Sequence, residues 1–312
     1  MEKAKINAIK THMEKVLGAD WNLNIVQVNK MGGEKDGIQC KFKEEKMALV
    51  LYPGEEEEKR IGVEGVAEKL ARIAEQNKTL LLDFPSTEEE IRERFFIQLV
   101  NADGNKEFLR DVPYDSFGDI VAVARLKISK DDAGEASSLI TRDNIAAFHM
   151  TPAEVMEQAY KNTAKQKFEL KSLNEVIEKM LESYGMSKNE IKKMLPQEKV
   201  GLYVLTNNEK LNGANALVCP EVLKNAYEQL GEPYYILPSS IHEVLLVKQS
   251  EGYNLEALRE MVKEVNRTEV RPEEILSSCI FKYNGQKLSI AQEEVQTVTE
   301  ALEKKKKNKF MR

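Results

Sequence analysis

The sequence predicts an α+β protein of two domains, each a mostly antiparallel sheet covered by helices. Three observations carry this expectation. Short apolar runs alternate with polar residues, as where Ile38, Cys40 and Phe42 interleave with Gln39, Lys41 and Lys43, the period of a half-buried strand. Hairpin-length connections join these runs, rather than the long crossovers that parallel strands need. Helix starts are written four times as a hydroxyl followed three residues later by a glutamate: Ser86 with Glu89, Thr151 with Glu154, Ser172 with Glu175, and Ser187 with Glu190. In each the hydroxyl satisfies a free N–H and the carboxylate reaches back.

Taken in order, residues 2–18 read as an amphipathic helix, with Ile6, Ile9, Met13, Val16 and Leu17 at helical spacing and Gly18 as its stop. Strands follow at 23–28, 38–43 and 47–52, the first two joined by a loop from Met31 through Gly37. Those glycines precede a strand, not a helix N-terminus, so they read as a turn and not as a phosphate cradle. The acidic run Glu55–Glu58 opens a helix, where carboxylates favour the positive end of the dipole. Thr79–Phe84 reads as a short strand or a helix continuation. Strands are expected at 96–100, 120–128 and 136–141, and helices at 87–94, 152–163, 173–184 and 188–194. Asp111, Asp115 and Asp119 miss the spacing of a calcium loop and read as turn and cap chemistry.

The domain expectation is an N-terminal α+β domain over 1–164, a lysine- and glutamate-rich helical connector over 165–199, and a C-terminal domain over 200–312. That last domain reads ββαββαβ with a helical tail. Its strands are Val200–Thr206, Ala214–Cys219, Tyr234–Leu237, Ile241–Lys248 and Ser278–Tyr283. One helix starts at Pro220 and stops at Gly231, and another is capped by Asn254.

Composition bounds the function. The chain has 312 residues, 42% hydrophobic and 31% charged, with a net charge of -6. A chain of this size buries roughly three-quarters of its unfolded surface and needs no staple. Mild acidity argues against nucleic acid as the main partner, leaving only the Lys304–Lys307 tail as a basic run. Cys40, Cys219 and Cys279 are far apart and odd in number, so neither a disulfide framework nor a zinc site is expected. The opening residues lack the apolar core of a signal peptide, and no apolar run approaches the ~20 residues of a membrane span. The expectation is a cytoplasmic chain with no membrane partner, no metal and no cofactor.

One patch concentrates capable side chains: Ser239, Ser240, His242 and Glu243, at the bend between two apolar strands. On a strand that starts at Ile241, Ser240 and His242 share one face and Ser239 and Glu243 the other. Neighbours two apart lie roughly 6.5–7 Å from each other, too far for a direct hydroxyl–imidazole bond. No GxSxG elbow presents a serine. The four residues are therefore candidates for binding a ligand or partner, with no catalytic residue assigned. The alternative is a hydrolase using His242 with a serine or with Cys219 as nucleophile. His12 and His149 stand outside any metal-spaced or catalytic motif.

Long phrases of the chain resemble an uncharacterised bacterial family. They are LYVLTNNEKLNGANALVCPEVLKNAYEQLG, YYILPSSIHEVLLV and LREMVKEVNRTEVRPEEILSSCIFKYN in the C-terminal half. In the N-terminal half they are FFIQLVNADGNKEFLRDVPYDSFGDIVAVARL and SSLITRDNIAAFHMTPAEVMEQAYKNT. The resemblance covers nearly the whole chain. It implies a domain of unknown function from anaerobic gut bacteria, often encoded among accessory genes of conjugative or integrated elements. It implies a bacterial cytosolic origin and no particular activity. The expected function is a non-catalytic binding or regulatory protein with an unknown protein or small-molecule partner.

Overall fold

The computed structural model describes residues 1–30, 33–45, 48–79, 87–131, 134–194 and 201–291. The chain is α+β with antiparallel sheets, as expected. It divides into two compact units: Met1–Lys167 with Glu273–Ile275, and Phe168–Pro272 with the chain from Leu276 on.

The first unit opens with helix α1 (Lys3–Leu17), whose Ile6, Ile9 and Met13 are buried on one stripe. Strands β1 (Trp21–Lys30) and β2 (Gly33–Phe42) pair antiparallel, from Trp21 opposite Phe42 to Lys30 opposite Gly33. The pairing extends past the loop expected over residues 31–37. The far end of this ribbon carries exposed Glu34 and Lys35, so its backbone ladder forms without the apolar alternation that would betray it. Strand β3 (Leu49–Leu51) adds to β2. Helix α2 (Glu55–Gln76) starts on the four glutamates and kinks at Gly62, where φ is 74°. It buries Val66, Leu70 and Ala74 against α1 and against the face of the sheet that carries Ile38, Cys40 and Phe42. Gln39 and Lys41 therefore occupy the opposite face of β2.

A second sheet in this unit is centred on β6 (Ile120–Asp131). Strand β4 (Phe95–Asn101) lies along one side of it, and β5 (Tyr114–Phe117) and β7 (Gly134–Leu139) follow each other along the other. Helices α3 (Glu88–Glu93), α4 (Arg142–Ala147) and α5 (Pro152–Thr163) complete the unit. The Thr163 hydroxyl of α5 accepts from the Ile97 N–H at 2.8 Å, and Asn162 Nδ2 donates to the carbonyls of Arg92 and Phe95. These bonds satisfy backbone groups of the edge strand β4 and of the end of α3 before it. Ser86, expected to cap α3, lies outside the described residues; the box present is formed by Thr87 and Glu90. A further box, Thr141 with Asn144, starts α4.

The second unit is one six-stranded antiparallel sheet, β13-β12-β10-β11-β9-β8. Its strands are β8 (Phe168–Ser172), β9 (Leu202–Asn207), β10 (Tyr234–Leu237), β11 (Val244–Lys248), β12 (Phe281–Tyr283) and β13 (Leu288–Ile290). Helices α6 (Leu173–Ser183), α7 (Lys188–Met194), α8 (Pro220–Leu230) and α9 (Leu255–Thr268) accompany it. Residues 165–199, read as a helical connector, supply the edge strand β8, which pairs with β9 from Phe168 opposite Asn207 to Ser172 opposite Tyr203. Every β8 residue is half-buried, and the alternation of Phe168 and Leu170 with Glu169 and Lys171 is too short to stand out from the surrounding charged run. The expected strand Ala214–Cys219 is a 3-10 turn, Gly213–Val218, in which five consecutive residues are buried. Continuous burial of small residues suits a coil packed all round and not a strand with two faces. The strand expected from Ile241 begins only at Val244, and β13 was not expected at all. The helix expected over the tail, with Lys304–Lys307, lies outside the described residues. Among the described residues, no helix is long and apolar enough to cross a membrane.

Candidate functional site

The bend at Pro238–Glu243 is irregular, so the strand rule for its side chains does not apply. The Pro238 and Ser239 carbonyls accept from the N–H groups of Ser277 and Leu276 at 3.0 and 3.1 Å. The Ser240 hydroxyl accepts from the His242 N–H at 3.0 Å. The His242 carbonyl accepts from the Thr206 hydroxyl at 2.8 Å, and the Ile241 carbonyl from the Ala214 N–H at 3.2 Å. The His242 ring takes part too: its Nδ1 accepts from the Asn212 N–H at 3.2 Å. That bond assigns the proton of the neutral ring to Nε2.

Asn212 stands in the left-handed region at φ 55°, and Gly213 follows it. A Cβ at Gly213 would collide with the Thr206 hydroxyl and the His242 carbonyl, so glycine permits this approach. Of the four candidates, Ser239 is buried, Ser240 and His242 are half-buried and Glu243 is exposed. The structure thus brings Ser240 and His242 together through the backbone, as parts of a clamp between the bend and the 3-10 turn.

The thiols are equally structural. Cys219 is buried with its Sγ donating to the Asn215 carbonyl at 3.4 Å, and burial pushes the thiol up to about 11. Cys40 is buried within the first core, and burial pushes it up to about 12. Neither is a thiolate near neutral pH, the form a cysteine nucleophile requires. The three aspartates of the 111–119 segment serve the fold. The Asp111 carbonyl accepts from Arg142, Asp115 accepts from the Tyr160 hydroxyl at 2.9 Å, and the Asp119 carbonyl accepts from Ala102.

A cleft of about 830 Å³ lies in the first unit. Its apolar walls come from Ile91 of α3, Leu126 and Ile128 of β6, Leu139 of β7, and Phe148 just past α4. Its polar side chains are Gln39, Lys41, Glu88, Ser138, Asn144 and His149. The face of β2 turned away from the helices supplies Gln39 and Lys41. This volume is in the range that holds small molecules, and the lining mixes eight apolar residues with six polar ones.

His149 enters the cleft from a costly backbone position. Helix α4 ends in a Schellman motif: the Met150 N–H bonds the Ile145 carbonyl at 3.2 Å and the His149 N–H bonds the Ala146 carbonyl at 3.1 Å. The middle residue of such an ending is left-handed, and His149 has φ 56°. Glycine is the ordinary occupant, because a side chain there costs about 1–2 kcal/mol. The exposed imidazole gives the motif nothing in return.

The family described as "Family of unknown function (DUF5688)" matches residues 4–285. The chain belongs to the DUF5688 family. No curated protein and no solved structure matches it.

In this DUF5688 chain the two candidate regions have different chemistry. At the bend, the Ser240 hydroxyl, the His242 Nδ1 and the carbonyls accept from backbone N–H groups or from the Thr206 hydroxyl. In the cleft, the Asn144 Oδ1 is taken up by the cap of α4, and Glu88 is bonded to Arg92 at 2.6 and 2.8 Å. Lys41, by contrast, has no ion-pair partner among the described residues. Sequence reasoning passed over the cleft, since it is built from segments far apart in the chain. One signal was available: a histidine sits between an apolar helix end and the Thr151-Pro152 start, where glycine or asparagine usually stands.

Proposed function

We propose that this chain is a non-catalytic binding or regulatory protein and that the first unit's cleft is where it takes a small-molecule partner. The observation that carries the reading is the apolar-walled cleft of about 830 Å³ with His149 held at its lining in a left-handed conformation. Strained residues cluster at ligand sites because the surrounding fold holds them there. The wiring of His242 and the raised thiol of Cys219 weigh against the hydrolase alternative. A bacterial cytosolic setting, and an accessory role on a mobile element, belong to the same proposal through the family resemblance.

The test is a thermal-shift screen of drug-fragment-sized molecules against wild type and Ala147→Trp. Ala147 is exposed on the cleft lining, so the indole fills the cleft without disturbing a core. Fragments that raise the Tm of wild type and lose their effect on the variant support the reading. Fragments that stabilise both proteins equally contradict it, as does turnover of any substrate that requires His242 or Cys219.

A further inference from the structure

We infer that the cleft of the first unit selects a small amphipathic anion, a carboxylate on an apolar body, gripped by Lys41 and His149. The inference rests on the cleft being the binding site and goes on to name the ligand's chemistry.

The balance of charge on the lining decides the sign. Two fully charged side chains line the cleft, Lys41 and Glu88. Glu88 is already paired with Arg92, which reaches one of its carboxylate oxygens with both Nε and a terminal nitrogen and lies 3.8 Å from Glu154 as well. Lys41 is half-buried on β2 and has no ion-pair partner among the described residues. A half-buried, uncompensated ammonium beside apolar walls favours an anion over a neutral or cationic guest, and a charge-assisted bond is roughly twice as strong as a neutral one. The remaining polar groups agree with this. The amide hydrogens of Asn144 and the imidazole of His149 are donors that a carboxylate can accept from.

The walls decide the rest of the ligand. Ile91, Leu126, Ile128, Leu139 and Phe148 offer apolar surface and one aromatic ring. A free inorganic anion would leave that surface wet, whereas an aryl or alkyl carboxylate covers it. His149 is a positioning and binding group here. Its place at the end of α4 sets its Cα–Cβ bond at the cleft lining, while the helix ending itself would be better served by glycine.

The test is calorimetric titration of the full chain with three probes of one shape: 2-naphthoate, 2-naphthamide and 2-naphthylmethylammonium. Naphthoate is expected to bind about 10-fold more tightly than the amide, the size of one charge-assisted bond. Lys41→Ala is expected to remove that preference while changing the amide's affinity less than about twofold. His149→Gly is expected to weaken naphthoate several-fold while raising the Tm; a merely structural histidine would lower both or neither. Equal binding of naphthoate and amide, or tightest binding of the ammonium, overturns the anion proposal. If these probes bind and Ala147→Trp abolishes their binding, the cleft reading itself survives that result. Failure of all three probes to bind, or binding that Ala147→Trp leaves untouched, overturns the cleft reading and the anion proposal together.

Discussion

The Nδ1 atom of His242 accepts a hydrogen bond from the backbone N–H of Asn212 across 3.2 Å, tying the bend before β11 to the 3-10 turn after β9. Removing the acceptor leaves a part-buried N–H unsatisfied. His242→Ala is therefore expected to lower unfolding free energy by about 1–3 kcal/mol. His242→Asn, whose Oδ1 can stand near the same point, is expected to recover much of the loss. Urea denaturation of the three proteins checks this. A His242→Ala protein as stable as wild type would show that the bond contributes nothing.

Gly213 lies under the same clamp. A methyl group there meets the Thr206 hydroxyl and the His242 carbonyl, both held by their own hydrogen bond. Gly213→Ala is expected to destabilise by about 1–3 kcal/mol through overpacking. Gly213 does not have a positive φ, so this cost is steric and not a backbone one.

His149→Gly is expected to stabilise the chain by about 1–2 kcal/mol, because glycine carries no penalty in the left-handed ending of α4. Thermal and urea unfolding both report it. Loss of stability would show that the imidazole has a structural partner and would remove the reason for reading it as a ligand group.

The capping box of α5 makes stability depend on acid. The Thr151 N–H and hydroxyl donate to the Glu154 carboxylate at 2.7 and 2.8 Å, and these bonds hold its carboxyl below its ordinary value of 4.5. A group whose value is lowered by folding stabilises fully above its unfolded value and loses that contribution as pH falls through the folded one. Glu190 is lowered in the same way by Ser187. The Tm difference between wild type and Glu154→Gln is thus expected to be larger near about pH 7 than near about pH 3. A constant difference across that interval would contradict the linkage.

Thiol reactivity orders the cysteines. Cys40 and Cys219 are buried with raised thiols, and Cys279 is half-buried. In the native state a disulfide reagent is expected to label Cys279 first, with the other two labelled only as the chain opens. Rapid labelling of Cys219 would reopen the nucleophile alternative.

Local chemistry was legible and long-range assembly was not. Thr151, Pro152 and Glu154 place the start of α5 at the right residue because a cap is decided within four positions. Ser172 and Glu175 do the same for α6. The sequence misled where tertiary context overrode pattern. Buried Ala214, Asn215 and Ala216 look like a strand until Gly213 is seen passing under the His242 carbonyl. Phe168–Ser172 looks like connector because an edge strand buries neither face fully. Ser240 and His242 were expected on one face of a strand, but the strand starts only at Val244 and their bonds turn inward to the backbone. The cleft escaped because Lys41, Ile91, Leu126 and His149 come from four separate elements, and no short window of sequence contains their meeting.

The most direct measurement is a methyl-resolved NMR titration of the isoleucine-, leucine- and valine-labelled chain with 2-naphthoate. The expected result is that signals of Ile91, Leu126, Ile128 and Leu139 move together and saturate, while Leu237, Val244 and Leu246 around the bend stay in place. Movement confined to the bend, or no saturable movement at the cleft, would contradict the claim that this protein binds its partner in the first unit.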